Sequence, residues 1–275
     1  MANKQDLVHL VNLIDDDTTE VRNEVLKELA NYGSTLEEDL LEYSGVLDKN
    51  MLKILKPVLD NNRKNWLLDN WSLWQKISDE KKQLEEALNL IIRFQDGITS
   101  QSSLPILLDT YANEFRQKTP YGDEIDLANF LFVEKGIKGN TKDYHNPQNS
   151  NLVFVIQNKK GLPISLSLIY ILIGSRLGFQ IEGCNFPGHF LSKIFVDGEL
   201  ILVDGFHKGR LLYERDIAER VDTDSLEAVG KLINLETSSK IIIRRVLNNL
   251  VTAYKHKNEN DLSEFFANLL SITPW

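Results

Sequence analysis

Cysteine is nearly absent from this chain of 275 residues, Cys184 being the only one. A single thiol excludes an intrachain disulfide and any zinc or iron–sulfur site built from several cysteines. Long apolar runs are missing as well: no stretch approaches the roughly 18 uninterrupted apolar residues of a membrane span. The opening residues, Met-Ala-Asn-Lys-Gln-Asp, hold no apolar signal core. No membrane partner is expected, and a reducing cytoplasm is the expected compartment. Basic charge is in deficit, with 31 Lys and Arg against 40 Asp and Glu and a formal net charge of -9. Binding to a phosphate backbone relies on clustered Lys and Arg that displace counterions, so nucleic acid is not expected as a partner. The short clusters Lys159-Lys160 and Arg244-Arg245 read as solvated surface.

What is present describes a folded chain. An apolar fraction of 42% with both signs of charge is enough to bury a core, and the length allows one large domain or a central domain with appendages. Leu7, Leu10, Val11 and Ile14 recur at helical spacing, break at Asp15-Asp16-Asp17-Thr18, and resume with Val21, Val25, Leu29 and Tyr32 before Gly33. This predicts an antiparallel helix pair that resembles a single HEAT-type unit over 7–33, with no clear second copy. More helix follows, carrying Trp66, Trp71 and Trp74, which are expected to be buried. Gly33, Pro57 and Asp60-Asn61-Asn62 are expected to punctuate that run. The helix with Leu84, Leu88 and Ile91 ends at Gly97 to Ser103, and Leu104, Leu107, Leu108, Tyr111 and Phe115 mark another. Lys138 to Ser150 is rich in loop residues.

Pro163 to Leu177 is apolar nearly all round, so a helix there must be buried on most sides. Pro163 in its first turn and Gly178 after its last residue are start and stop signals. Strands are expected at Gln180 to Cys184, Phe190 to Val196 and Leu200 to Asp204, and helix again past Glu214. Ile242, Val246, Leu250 and Tyr254, then Leu262, Phe265, Phe266 and Leu269, joined by Asn258-Glu259-Asn260, predict a closing helical hairpin similar to a tetratricopeptide unit. The expected divisions are a helical region at 1–80, a core at 81–222 and the hairpin at 223–275.

Asp197-Gly198 between two apolar runs is a hairpin signal, since both residues tolerate positive φ. A two-residue loop pairs Val196 with Glu199, sets Leu191 opposite Asp204, and makes His189 a diagonal neighbour of Asp204 on the same face. A carboxylate holding one imidazole nitrogen while the other faces outward is what an acid–base histidine needs. The same pairing also occurs as a purely structural hydrogen bond.

Four motifs in order, Asn158 to Tyr170, Arg176-Leu177-Gly178, Phe186 to Leu191 and Leu202 to Leu212, resemble the SirB-type transglutaminase-like family, and the likeness covers roughly residues 85 to 220. The resemblance implies an α+β, papain-like core in which the helix from Pro163 packs on a small antiparallel sheet, with helical segments at both ends. It implies a cysteine nucleophile at the start of that helix, a histidine at His189 and an orienting aspartate at Asp204, with Asn149, Gly188, Phe206 and His207 about the cleft. Counting back from Arg176 puts the cysteine position at Pro163, which has no nucleophile. Ser165, Ser167 and Cys184 are the substitutes. Ser165 lies about 200° round the helix from position 163, and a free cysteine is usually a small buried hydrophobe. His145 and His207 complete the polar candidates. Asp204 and His207 lack a third metal ligand at suitable spacing, so neither metal nor other cofactor is expected. The expected function is a catalytically inert member that binds a protein or peptide through the former cleft. A hydrolase or amide-transfer enzyme using Ser165 or Cys184 with His189 and Asp204 is the alternative.

Overall fold

The computed structural model describes residues 4–33, 35–43, 45–97, 103–186, 189–213, 230, 235 and 237–275. Contacts divide the chain into Met1–Ser72 with Leu90–Gln101, and Leu73–Asn89 with Ser102–Trp275.

The first unit holds α1 (Lys4–Asn12), α2 (Thr19–Ala30), α3 (Leu36–Leu41) and α4 (Lys49–Asn70). Leu7, Val11, Ile14, Val25, Leu29 and Leu55 are buried in one cluster, which accounts for their helical spacing. Asp48 caps α4 by accepting from the backbone N–H groups of Asn50 and Met51, each at 2.8 Å. That helix then runs unbroken through Pro57 and Asp60-Asn61-Asn62, where the sequence predicts punctuation. The reason is positional. Pro57 lies on the exposed face, so the helix carbonyl it fails to bond is left to water, while Leu55, Val58, Trp66 and Leu67 of the same helix are buried. Burying four such side chains, each worth roughly 1.5–3 kcal/mol, outweighs the roughly 3 kcal/mol cost of an internal proline. Trp66 and Trp71 are buried in this unit, and Trp74 is buried in the second.

The second unit is α+β. It takes the first half of α5 (Glu80–Asp96), then α6 (Leu104–Lys118) and α7 (Glu124–Asn129), which continues into a π turn at Phe130–Glu134. A two-residue parallel bridge joins β1 (Lys138–Gly139) to β2 (Lys160–Gly161), with α8 (Leu152–Asn158) between them. The central helix α9 spans Pro163–Leu177 with Pro163 to Gly174 all buried, and Gly178, at φ 81°, closes it by returning its N–H to the last turn. The helix packs closely at Gly174, where a Cβ would push aside the tip of the Ile181 side chain. Tyr170 satisfies its buried hydroxyl on the carbonyl of Glu124 at 2.6 Å.

The sheet is antiparallel in the order β3 (Glu182–Cys184), β4 (Leu191–Val196), β5 (Glu199–Asp204), β6 (Arg210–Tyr213). Asp197 and Gly198, at φ 52° and 82°, form the expected two-residue loop, and pairing runs from Val196↔Glu199 to Ser192↔Val203 as the register requires. The closing hairpin is α10 (Ser239–His256) and α11 (Asn260–Ile272); Tyr254 stacks on Phe266 with ring centres 5.5 Å apart, and Ser263 donates to the carbonyl of Val251. The helix expected past Glu214 lies outside the described residues up to Gly230. No described helix is long and apolar enough to cross a membrane.

The central helix should carry most of this unit's stability. Leu168→Ala, at a position with no exposure, is expected to lower unfolding free energy by about 2–5 kcal/mol. Ile106→Ala in α6, at a side chain 66% exposed, should change it by less than about 0.5 kcal/mol. Urea unfolding midpoints with an unchanged slope check both.

Candidate functional site

The hairpin register delivers two side chains to one place. His189 Nε2 lies 3.0 Å from Asp204 Oδ1, and His207 Nδ1 lies 2.7 Å from Asp204 Oδ2. A carboxylate only accepts, so both ring nitrogens carry their proton toward it. The backbone N–H of His207 also donates to Oδ1 at 3.2 Å, and Gly209 N–H donates to the carbonyl of Asp204 at 2.9 Å. Lys208 and Gly209, at φ 60° and 73°, give the turn that allows this. Burial pushes the Asp204 carboxyl upward, but the hydrogen bonds from His189 and His207, with the charge of His189, outweigh it and hold the group below the usual carboxylate range.

Phe206 is the aromatic centre of the rim. Its ring is edge-on to His189 at 5.8 Å, to Tyr144 at 6.2 Å and to His207 at 5.4 Å. It can sit there because residue 139 is glycine: a Cβ at Gly139 would lie 2.5 Å from the ring, and the Gly139 N–H donates to the carbonyl of Phe206 at 3.0 Å. The bridge from Gly139 to Gly161 stands just before Pro163, and a Cβ on Gly205 would approach Leu166 to 3.1 Å. The start of α9 is thereby held against the turn that follows Asp204.

The remaining predicted residues fall in different places. Asn149 has no exposure. It accepts from Asn140 at 2.9 Å and donates to the carbonyls of Asp143 and Tyr144 at 2.7 and 2.9 Å, so it supports the rim loop from beneath instead of lining the cleft. Ser165 is buried and donates to the carbonyl of Asn149 at 2.6 Å; Ser167 is buried too. Cys184 pairs with Leu191 and packs with Leu202 in a small apolar cluster. Burial pushes its thiol up to about 11, against the opposing charge of Lys193. His145 stacks on His256 of α10 at 3.7 Å, beside a Lys257–Asp143 ion pair. Gly188 lies outside the described residues.

Two residues were not legible as site residues. Tyr144 reaches Phe206 because Asn149 shapes its loop. Arg245, expected at a solvated surface, is half-buried; its guanidinium lies 5.4 Å over the ring of Phe190 and donates to Asn185 Oδ1. Burial lowers its pKa, with Tyr144 opposing. Arg244, by contrast, is exposed as expected. The available signal was helical phase: Arg245 stands between Ile243 and Val246, both buried.

The sequence that builds this arrangement has known relatives. The profile of the Transglutaminase-like superfamily matches residues 104–248, more than half of the chain. The chain belongs to the transglutaminase-like superfamily. Among its relatives is a UPF0162 protein of Xylella fastidiosa (strain 9a5c), 30% identical over 223 residues that cover 76% of this chain and 78% of that one. F-box only protein 21 of Homo sapiens is 25% identical over 190 residues, 66% of this chain and 30% of that protein. No solved structure matches the chain. Within this transglutaminase-like core, the first residue of the central helix is a buried proline.

The burial of Cys184 predicts its reactivity. In the folded protein at pH 8, Ellman's reagent is expected to titrate less than a tenth of the thiol in the time that fully labels the urea-unfolded chain, because little thiolate forms and the sulfur is covered. Equal labelling rates in the two states would contradict the placement.

Proposed function

We propose that the chain is a SirB-type member of the superfamily that performs no acyl transfer and binds a protein or peptide segment at the rim formed by Phe206, His207, Tyr144 and Arg245. One observation carries this reading: Pro163 occupies the start of α9, where the resemblance places the cysteine, and a proline offers neither thiol nor hydroxyl. The substitutes do not repair the loss. Ser165 holds its proton on the carbonyl of Asn149, and Cys184 is kept as a thiol by its apolar surroundings.

The rim supports binding on chemical grounds. Phe206 is half-buried, His207 and Tyr144 are exposed, and Arg245 presents a cation whose described hydrogen-bond partner is a neutral amide. Aromatic faces beside an arginine are the residue types in which interface energy concentrates. Such a surface suits an extended segment with an apolar anchor and an acidic group. The cytoplasm is the compartment proposed for it.

A displayed library of random dodecapeptides, panned against the purified protein after chelation of free metal, tests this. Enriched sequences should bind the wild type saturably and lose at least about ten-fold in affinity with Phe206→Ala, the loss expected for one aromatic anchor. Failure to enrich, or equal binding by Phe206→Ala, would contradict the assignment of the rim. Turnover of amide or ester substrates that Ser165→Ala or iodoacetamide abolishes would contradict the inert reading itself.

A further inference from the structure

We infer that His189, Asp204 and His207 form a binding site for a divalent transition-metal cation, zinc being the best match to two imidazoles and one carboxylate. The spacing in sequence offered only Asp204 and His207; the hairpin supplies the third ligand. One donor atom from each residue lies within 4.8 Å of the other two. Around a tetrahedral zinc, ligand distances of about 2.0–2.2 Å put donor atoms about 3.4 Å apart. His189 Nε2 lies 3.0 Å from Asp204 Oδ1 and His207 Nδ1 lies 2.7 Å from Asp204 Oδ2, so each imidazole already meets its own oxygen of the shared carboxylate. Rotation of the His207 ring, which is 64% exposed, adjusts the spacing of the donors.

The supporting geometry is rigid where a metal site needs it. Asp204 ends a sheet strand paired on both sides, and His207 sits three residues later in a turn closed on the Asp204 carboxylate and carbonyl. His189 enters from the chain leading into β4 and is fixed edge-on by Phe206. Three protein ligands with one open coordination position is the arrangement of a zinc site that accepts water or a ligand atom. Here the open side is the solvent side, since His189 is 23% exposed and His207 is mostly so.

Charge favours occupancy. The buried Asp204 carboxylate is hydrogen-bonded by two imidazoles and a backbone N–H, and a dication would neutralise its charge. The proton balance is simple. His189 Nε2 and His207 Nδ1 now donate to the carboxylate; on binding, each neutral ring moves its proton to the other nitrogen and presents a lone pair, with no net proton released. The inference does not depend on peptide binding, which the panning experiment tests in chelated protein.

Isothermal titration of Zn²⁺ into the full chain, freed of metal by EDTA and dialysis, tests the site, with Co²⁺ absorption reporting geometry. One equivalent of zinc should bind saturably, and Co²⁺ should give the intense visible bands of four- or five-coordination. His207→Ala, an exposed change that leaves the fold intact by circular dichroism, should weaken binding at least about ten-fold, since even an outer partner of a ligand is worth that much. Asp204→Asn should do the same, while His145→Ala should change nothing. Absence of binding would overturn the inference. So would zinc affinity unaffected by His207→Ala, or lost with His145→Ala, which would assign the metal to the stacked His145–His256 pair.

Discussion

The carboxylate of Asp204 is the interaction on which the site depends. It ends a buried strand, is 6% exposed, and accepts two imidazoles and a backbone N–H. A carboxylate removed from water in this way is costly unless its lone pairs are used, and each partner is delivered by a different device. The Asp197-Gly198 loop sets the register that brings His189. The positive-φ pair Lys208 and Gly209 folds His207 back. The glycine at 139 admits Phe206, whose ring backs both histidines.

The same local economy is seen in the central helix. Helix α9 is built to be buried: its first residue is a proline with preset φ, its last turn closes on Gly178, and every residue from Pro163 to Gly174 is covered. Its start is fixed against the Gly205 turn by Leu166 and by the Gly139–Gly161 bridge. A thiol at residue 163 would have stood at the positive end of a helix dipole. The proline at residue 163 keeps the helix start while offering neither thiol nor hydroxyl beside the His–Asp pair.

Much of this was legible in the sequence because the signals were local. The apolar run from Ile164 to Ile173 has one physical solution, and Asp197-Gly198 fixes a register that decides which side chains meet. What was not legible depended on tertiary context. Pro57 stays inside α4 because its exposed face tolerates a lost hydrogen bond while the buried face holds the helix together. Strand β6 is a four-residue segment that pairs only because β5 is already in place, and α8 lies in a stretch whose polar flanks mask its short apolar run. Asn149, expected in the cleft, is wholly buried because the rim loop has three polar groups beneath it that only an amide can satisfy together. The third ligand of the cluster, His189, was invisible as such because the spacing between residues 189 and 207 carries no motif; only the hairpin brings them together.

The most direct test of the shared carboxylate is the tautomeric state of the two rings, read by long-range ¹H–¹⁵N correlation spectra of the metal-free protein at neutral pH. The account predicts protonated Nε2 in His189 and protonated Nδ1 in His207, each with a downfield hydrogen-bonded proton that Asp204→Asn shifts or removes. A His189 ring protonated at Nδ1 alone, or ring signals indifferent to Asp204→Asn, would contradict it.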